Sequence, residues 1–236
     1  MKDPRTTTLL YEAIEEEYSW RIKELSQFKS STLSAKGGAQ KGMIRAGIAL
    51  LYAHWEGFIK KVADLYYEFV SYQNCRLKEL SDCFVSIVLR GEIERLQESR
   101  KMKIHNEVMN MFFERQDQTA NFSKTSPFRT SNLKYELFED VCIMIGVKVT
   151  SFHERYKRSG YDWDIQKTID KDLVERRNSV AHGDYISVTE KEYKELYDVI
   201  INGLLRTFKE AVMDAAQNKQ YKRNGGAASD VRLSSF

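Results

Sequence analysis

Leu50-Leu51-Tyr52-Ala53-His54-Trp55-Glu56-Gly57-Phe58-Ile59-Lys60 lies inside a longer run, from Gln40 to Gln73, that contains no proline. Along that run Ile44, Ile48, Leu51, Trp55, Phe58, Val62, Leu65, Tyr66, Phe69 and Val70 recur at three- and four-residue steps. That spacing is the period of one helical face. The stripe is wide, which predicts a central helix largely surrounded by others. Trp55 falls on it and reads as core more readily than as a platform for a stacked base. Glu56 is an acidic residue among apolar neighbours. It reads either as an exposed helix charge or as a carboxylate that pairs with Arg177 and fixes its guanidinium.

On the N-terminal side, Leu9, Leu10, Ile14, Tyr18, Ile22 and Leu25 predict an amphipathic helix from Thr8 to Lys29, with Glu15, Glu16 and Glu17 opposite. Ser30 to Gly38 then reads as a flexible Ser/Thr/Gly connection. On the C-terminal side the pattern shortens. Leu80 to Leu89, Ile93 to Leu96 and Val108 to Phe113 suggest small helices in an inserted lobe, about residues 75–130. Gln116 to Ser131 is polar, contains Pro127 and reads as a surface loop.

Leu133 to Ile145 predicts a further helix that stops at Gly146, and Val149 to Tyr156 a shorter one. A helix beginning near Thr168 buries Ile169, Leu173, Val174 and Val180. Ser187-Val188-Thr189-Glu190 fits a capping box for a last helix from Val188 to Ala216. Only Pro4 and Pro127 could break helices, and strand-like alternation of useful length is missing from the pattern. The predicted fold class is all-α, one helical bundle over residues 1–217 ending in a helical hairpin, with 218–236 as a disordered tail.

Bulk properties bound the function. A chain of 236 residues can bury one sizeable core. Its net charge of +3 means that any nucleic-acid contact depends on a local patch, not on a global field. Cys75, Cys83 and Cys142 are odd in number and lack paired spacing, which argues against a disulfide framework and a zinc site. Met1-Lys2-Asp3-Pro4-Arg5 lacks the apolar core of a signal peptide, and the pattern offers no stretch of membrane-spanning length. A cytoplasmic location is the expectation.

The stretch richest in chemistry is Arg177-Asn178-Ser179-Val180-Ala181-His182-Gly183. Arg is charged at every working pH and its planar fork matches two phosphate oxygens, whereas His can take and give a proton near neutrality. Together they can perform acid/base chemistry on a phosphodiester without a metal or other cofactor. Asn178 and His182 share a helical face, so the amide could orient the ring or a phosphate, or it could simply be satisfied by backbone. Gly183 reads as the left-handed residue that ends the helix, leaving His182 on its last turn. The alternative is a surface Arg177 and a His182 that only complements the helix dipole.

Arg155, Lys157, Arg158 and Arg176, interleaved with Tyr156 and Tyr161, are candidate contacts to an RNA backbone, or else a solvated basic face. Asp162-Trp163-Asp164 and Asp170-Lys171-Asp172 lack nearby histidines and read as acids at helix starts, with no metal assigned to them.

The run Glu175 to Gly183 resembles the Arg-x4-6-His motif of HEPN domains, in the Arg-Asn-x3-His form of their ribonucleases. The Leu50 to Lys60 stretch, and Ser131-Asn132-Leu133-Lys134-Tyr135-Glu136-Leu137-Phe138 leading to Ile145-Gly146, resemble the small stand-alone HEPN-like nucleases of the RiboL-PSP or MAE type. This resemblance spans roughly residues 40 to 215. It implies a metal-independent endoribonuclease in which His182 moves the proton, Arg177 holds the phosphate, and Asn178 and Glu56 support them. It also implies a homodimer with a composite active site, and a toxin or antiviral defence setting with an antitoxin or defence-system partner. A non-catalytic HEPN-type module binding RNA, nucleotide or protein is the other reading. Some HEPN toxins are silenced by nucleotidylation of a Tyr two residues after the His. Tyr185 stands one position later, a departure from that pattern.

Overall fold

The structure, a computed structural model, describes residues 3–128 and 131–223. Among them the chain is all-α, with two isolated β-bridges and no strand. The wide apolar stripe becomes α2 (Gly37–Ser71), which has sixteen buried residues and passes through the middle of the core, with Trp55 and Phe58 fully buried. Against it lies α1 (Thr7–Ser34), capped at its start by the Thr6 hydroxyl. The N-terminus returns to the far end of α2, where the Gln73 amide donates to the Arg5 carbonyl at 3.3 Å.

The predicted connection from Ser30 to Gly38 is mostly helix. Thr32 and Ser34 donate their hydroxyls to the carbonyls of Phe28 and Ser30, four residues back, so these side chains lie along the helix instead of ending it. Ala35 and Lys36 are the whole link.

A lobe over residues 75–128 contains α3 (Asp82–Val88), α4 (Arg90–Glu98) and α5 (Met102–Arg115). Its outer helices stand off the bundle, α4 with no buried residue and α5 with only Val108, while Phe84 of α3 is buried against Tyr66 of α2. The polar stretch from Gln116 is irregular but anchored, because Phe128 is buried edge-on to Tyr67. Residues 129 and 130 of that stretch lie outside the described residues.

α6 (Tyr135–Met144) and α7 (Val149–Arg158) follow. Gly146 adopts φ +72° and ends α6, with Val147 N–H reaching the Cys142 carbonyl at 2.9 Å. α8 covers residues 165–181, being α-helical over Ile165–Lys167, π-helical over Thr168–Glu175 and α-helical again over Arg176–Ala181. α9 covers residues 190–217 and has its own π stretch, Val199–Leu205. The two form the predicted hairpin, bridged by Arg176 and Glu192 at 3.5 Å.

Two boundaries differ from the sequence pattern. The capping box is Thr189 with Glu192, two residues beyond the predicted one, since the hydroxyl of Thr189 is the one that meets the third helical N–H. The predicted tail begins too early. Residues 218–223 belong to the folded body, because Tyr221 is buried edge-on to Phe69 and its carbonyl accepts from Ser81 N–H at 2.8 Å. Residues 224–236, the rest of the predicted tail, lie outside the described residues.

Candidate active site

Three segments meet where α8 ends. His182 is the C-terminal cap of α8, and Gly183 at φ +81° sends the chain away. The Gly183 N–H reaches the Val180 carbonyl at 3.2 Å and the Asp184 N–H the Ser179 carbonyl at 2.9 Å. This paired closure is how a helix uses a left-handed residue to satisfy its last carbonyls. The His182 ring is therefore exposed, and it makes no hydrogen bond or ion pair among the described residues.

The second segment is the turn 131–134. Asn132 adopts φ +62°, which Asn tolerates better than most residues. α2 grips the following residue from both sides: the Tyr52 hydroxyl accepts from Leu133 N–H at 2.8 Å, and the Trp55 indole donates to the Leu133 carbonyl at 3.4 Å. Asp170 of α8 accepts from the Tyr135 N–H at 2.8 Å and so starts α6. One short turn thus ties α2, α6 and α8 together.

Arg177 lies where these parts converge. Its guanidinium carbon is 3.8 Å from the Tyr52 ring centroid, and one Nη donates to Asn132 Oδ1 at 3.0 Å. No carboxylate pairs with it among the described residues, and its Nε is buried without a partner. The stack on Tyr52 is worth about 0.5–2 kcal/mol. Arg177, Asn178, His182, Asn132, Tyr52 and Glu56 all line one open cavity of ≈ 850 Å³.

Glu56 does not pair with Arg177. Its carboxylate takes the Lys60 ammonium and the Tyr52 hydroxyl, each four residues away on the same helix face. Burial, and after it the Glu56 contact, pushes the Tyr52 hydroxyl up to about 12, against the Leu133 N–H and Arg177, which pull it down. Tyr52 is consequently a neutral donor at working pH. Asn178 lines the cavity, but its amide makes no bond to the His182 ring; the link between them is the helical bond from His182 N–H to the Asn178 carbonyl, 2.9 Å.

The predicted basic patch is not part of this cavity. Arg155 pairs with Asp214 and lines, with Arg158, a separate cleft of ≈ 740 Å³. Arg176 turns to Asp172 and Glu192, and Lys157 is exposed on α7 and lines neither space. Tyr156 is buried and stacked on Tyr161, which donates to Asp198 at 2.8 Å, so the Tyr156 ring is closed to a base. Asp164 caps α8 by accepting from the Lys167 N–H, as an acid at a helix start.

Tyr52 and Asn132 were not singled out by chemistry in the sequence. The available signals were position, Tyr52 standing one helical turn before Glu56 and Asn132 just before a helix, and the membership of both in the stretches that carry the family resemblance.

Fold and cavity together define a class: an all-α bundle that presents an arginine and a histidine near the capped C-terminal end of one helix of a hairpin. The family described as MAE_28990-like HEPN matches residues 10–221, and the chain belongs to this HEPN family. HEPN domains are generally nucleases or RNA-binding modules. No curated protein and no solved structure matches the chain significantly. Among the described residues, no helix is long and apolar enough to cross a membrane.

Proposed function

We propose that the chain is a metal-independent endoribonuclease acting in the cytoplasm as a toxin or defence effector. One observation carries the reading: Arg177, un-neutralised by any carboxylate among the described residues, and His182, with an unengaged ring, line the same open cavity. In RNA the 2′-hydroxyl adjoins the scissile phosphorus. His182 takes its proton, the O2′–P bond forms, the P–O5′ bond breaks and the departing 5′-oxygen takes up a proton. Arg177 holds the non-bridging oxygens as their charge builds. The products are a 2′,3′-cyclic phosphate and a 5′-hydroxyl, and DNA lacks the nucleophile.

One histidine serves each cavity, and a base and an acid are needed. A homodimer that brings two such cavities together supplies both, and the exposure of His182 at the end of α8 supports it. The test is cleavage of RNA in EDTA by the wild type and by the His182→Ala and Arg177→Ala proteins, with folding checked by circular dichroism. Loss in both variants, and on substrates with a 2′-deoxy sugar at the cut site, is the expected result. Normal cutting by both variants removes the assignment.

A further inference from the structure

We propose that Asn132 is a positioning residue that aims Arg177 at the phosphate through a neutral oxygen, leaving the guanidinium its full charge. The inference rests on the ribonuclease reading of the same cavity.

Two contacts fix the guanidinium: the Tyr52 ring beneath it and the Asn132 Oδ1 at its edge. A carboxylate at that edge would hold it more firmly, because full ionic attraction and a two-pronged contact would add to the hydrogen bond. It would also cancel the positive charge meant for the substrate. The neighbouring acid is kept away by the same economy, since Glu56 is occupied by Lys60 and the Tyr52 hydroxyl.

The backbone narrows the choice at this position. At φ +62° the residues that fit without strain are chiefly Gly, Asn and Asp. Gly has no acceptor and Asp brings a charge, so Asn is the member of that set that offers a neutral acceptor. The turn is held independently of this side chain by the bonds from Tyr52 and Trp55 to Leu133. Both alternatives should therefore fold.

The experiment compares wild type, Asn132→Gly and Asn132→Asp in steady-state cleavage of a short RNA. It adds substrates with sulfur replacing one or the other non-bridging oxygen of the scissile phosphate. Asn132→Gly is expected to lower kcat about 10- to 100-fold with KM changed by less than about 3-fold, as for a lost orienting contact. It should also shrink the rate difference between the two sulfur diastereomers, a readout that a merely structural residue would not move. Asn132→Asp, which keeps the bond and suits the backbone, should lose at least as much kcat. Wild-type kcat and diastereomer preference in Asn132→Gly overturn the positioning role of Asn132 alone, and the same result in Asn132→Asp overturns the requirement for a neutral oxygen. An inactive wild type overturns the ribonuclease reading and this inference with it.

Discussion

The Arg177 guanidinium and the Tyr52 ring are stacked at 3.8 Å, so the ring supports Arg177 while the hydroxyl accepts from the Leu133 N–H and donates to Glu56. The two roles separate by substitution. Tyr52→Phe keeps the ring and leaves the Leu133 N–H without its acceptor, a loss of about 1–3 kcal/mol for a buried donor. Tyr52→Leu removes the stack as well. Urea unfolding should show a lower midpoint for both variants, and kcat on RNA should fall further in Tyr52→Leu than in Tyr52→Phe. Equal kcat in the two variants would show that the stack does not support Arg177.

His54 ties the α1–α2 pair to pH. It is buried, its Nε2 lies 2.9 Å from Glu24, and its ring sits beside Trp20 and near Arg21. Burial, and then the Arg21 charge, lowers its pKa, while Glu24 acts the other way. A histidine with a lowered folded-state pKa binds fewer protons folded than unfolded just below the ordinary value. Its contribution is complete above about pH 6.5 and is lost as the pH falls through that value toward the folded-state one. The urea midpoint of wild type should therefore drop more between pH 7 and pH 5 than that of His54→Gln. The two proteins showing parallel pH curves would mean that His54 charges freely in the fold.

The helical pattern is legible because burial follows a simple period: every residue on the α2 stripe is buried, and Gly146 and Gly183 both take the left-handed conformation their positions suggest. Arg177, Asn178, His182 and Glu56 were visible as chemistry, and all four line one cavity. Their pairings were not visible. Asn132 and Arg177 are 45 residues apart, and whether they meet depends on how α2 grips Leu133, a tertiary fact with no local signature. Of the two readings open for Glu56, the pairing with Arg177 does not form, because Lys60 and Tyr52, each four residues away on the same helix, take the carboxylate. Ser30 to Gly38 was misread because Ser and Thr hydroxyls satisfy i−4 carbonyls within a helix as readily as they terminate one.

Gly47 marks a close approach of α2 to the hairpin. A Cβ there would lie 2.7 Å from the Tyr193 hydroxyl oxygen and 2.8 Å from Cε2 of its ring, and Tyr193 is fully buried on α9. Gly47→Ala should destabilise the protein by about 1–3 kcal/mol, the usual range for overpacking, despite the better helix propensity of Ala. The double variant with Tyr193→Leu should recover part of that loss in urea unfolding. A single variant as stable as wild type would mean that α2 and α9 separate more easily than this packing implies.

Gly183 separates conformation from contact, because a Cβ at that position would meet nothing within 4 Å. Any effect of Gly183→Ala must then come from φ +81°, which costs an ordinary L residue roughly 1–2 kcal/mol and costs Asn less. The adjoining His182 is the helix cap, so relaxing that strain unwinds the turn that carries the ring. Gly183→Ala should lower both the urea midpoint and kcat, and Gly183→Asn should lie nearer to wild type in both. Gly160 provides the control: it has φ +92°, is equally free of contacts and follows α7, away from the cavity. Gly160→Ala should cost comparable stability and leave kcat unchanged. If Gly183→Ala loses stability with no change in kcat, the histidine does not depend on the geometry of its helix end, and its placement there has no bearing on catalysis.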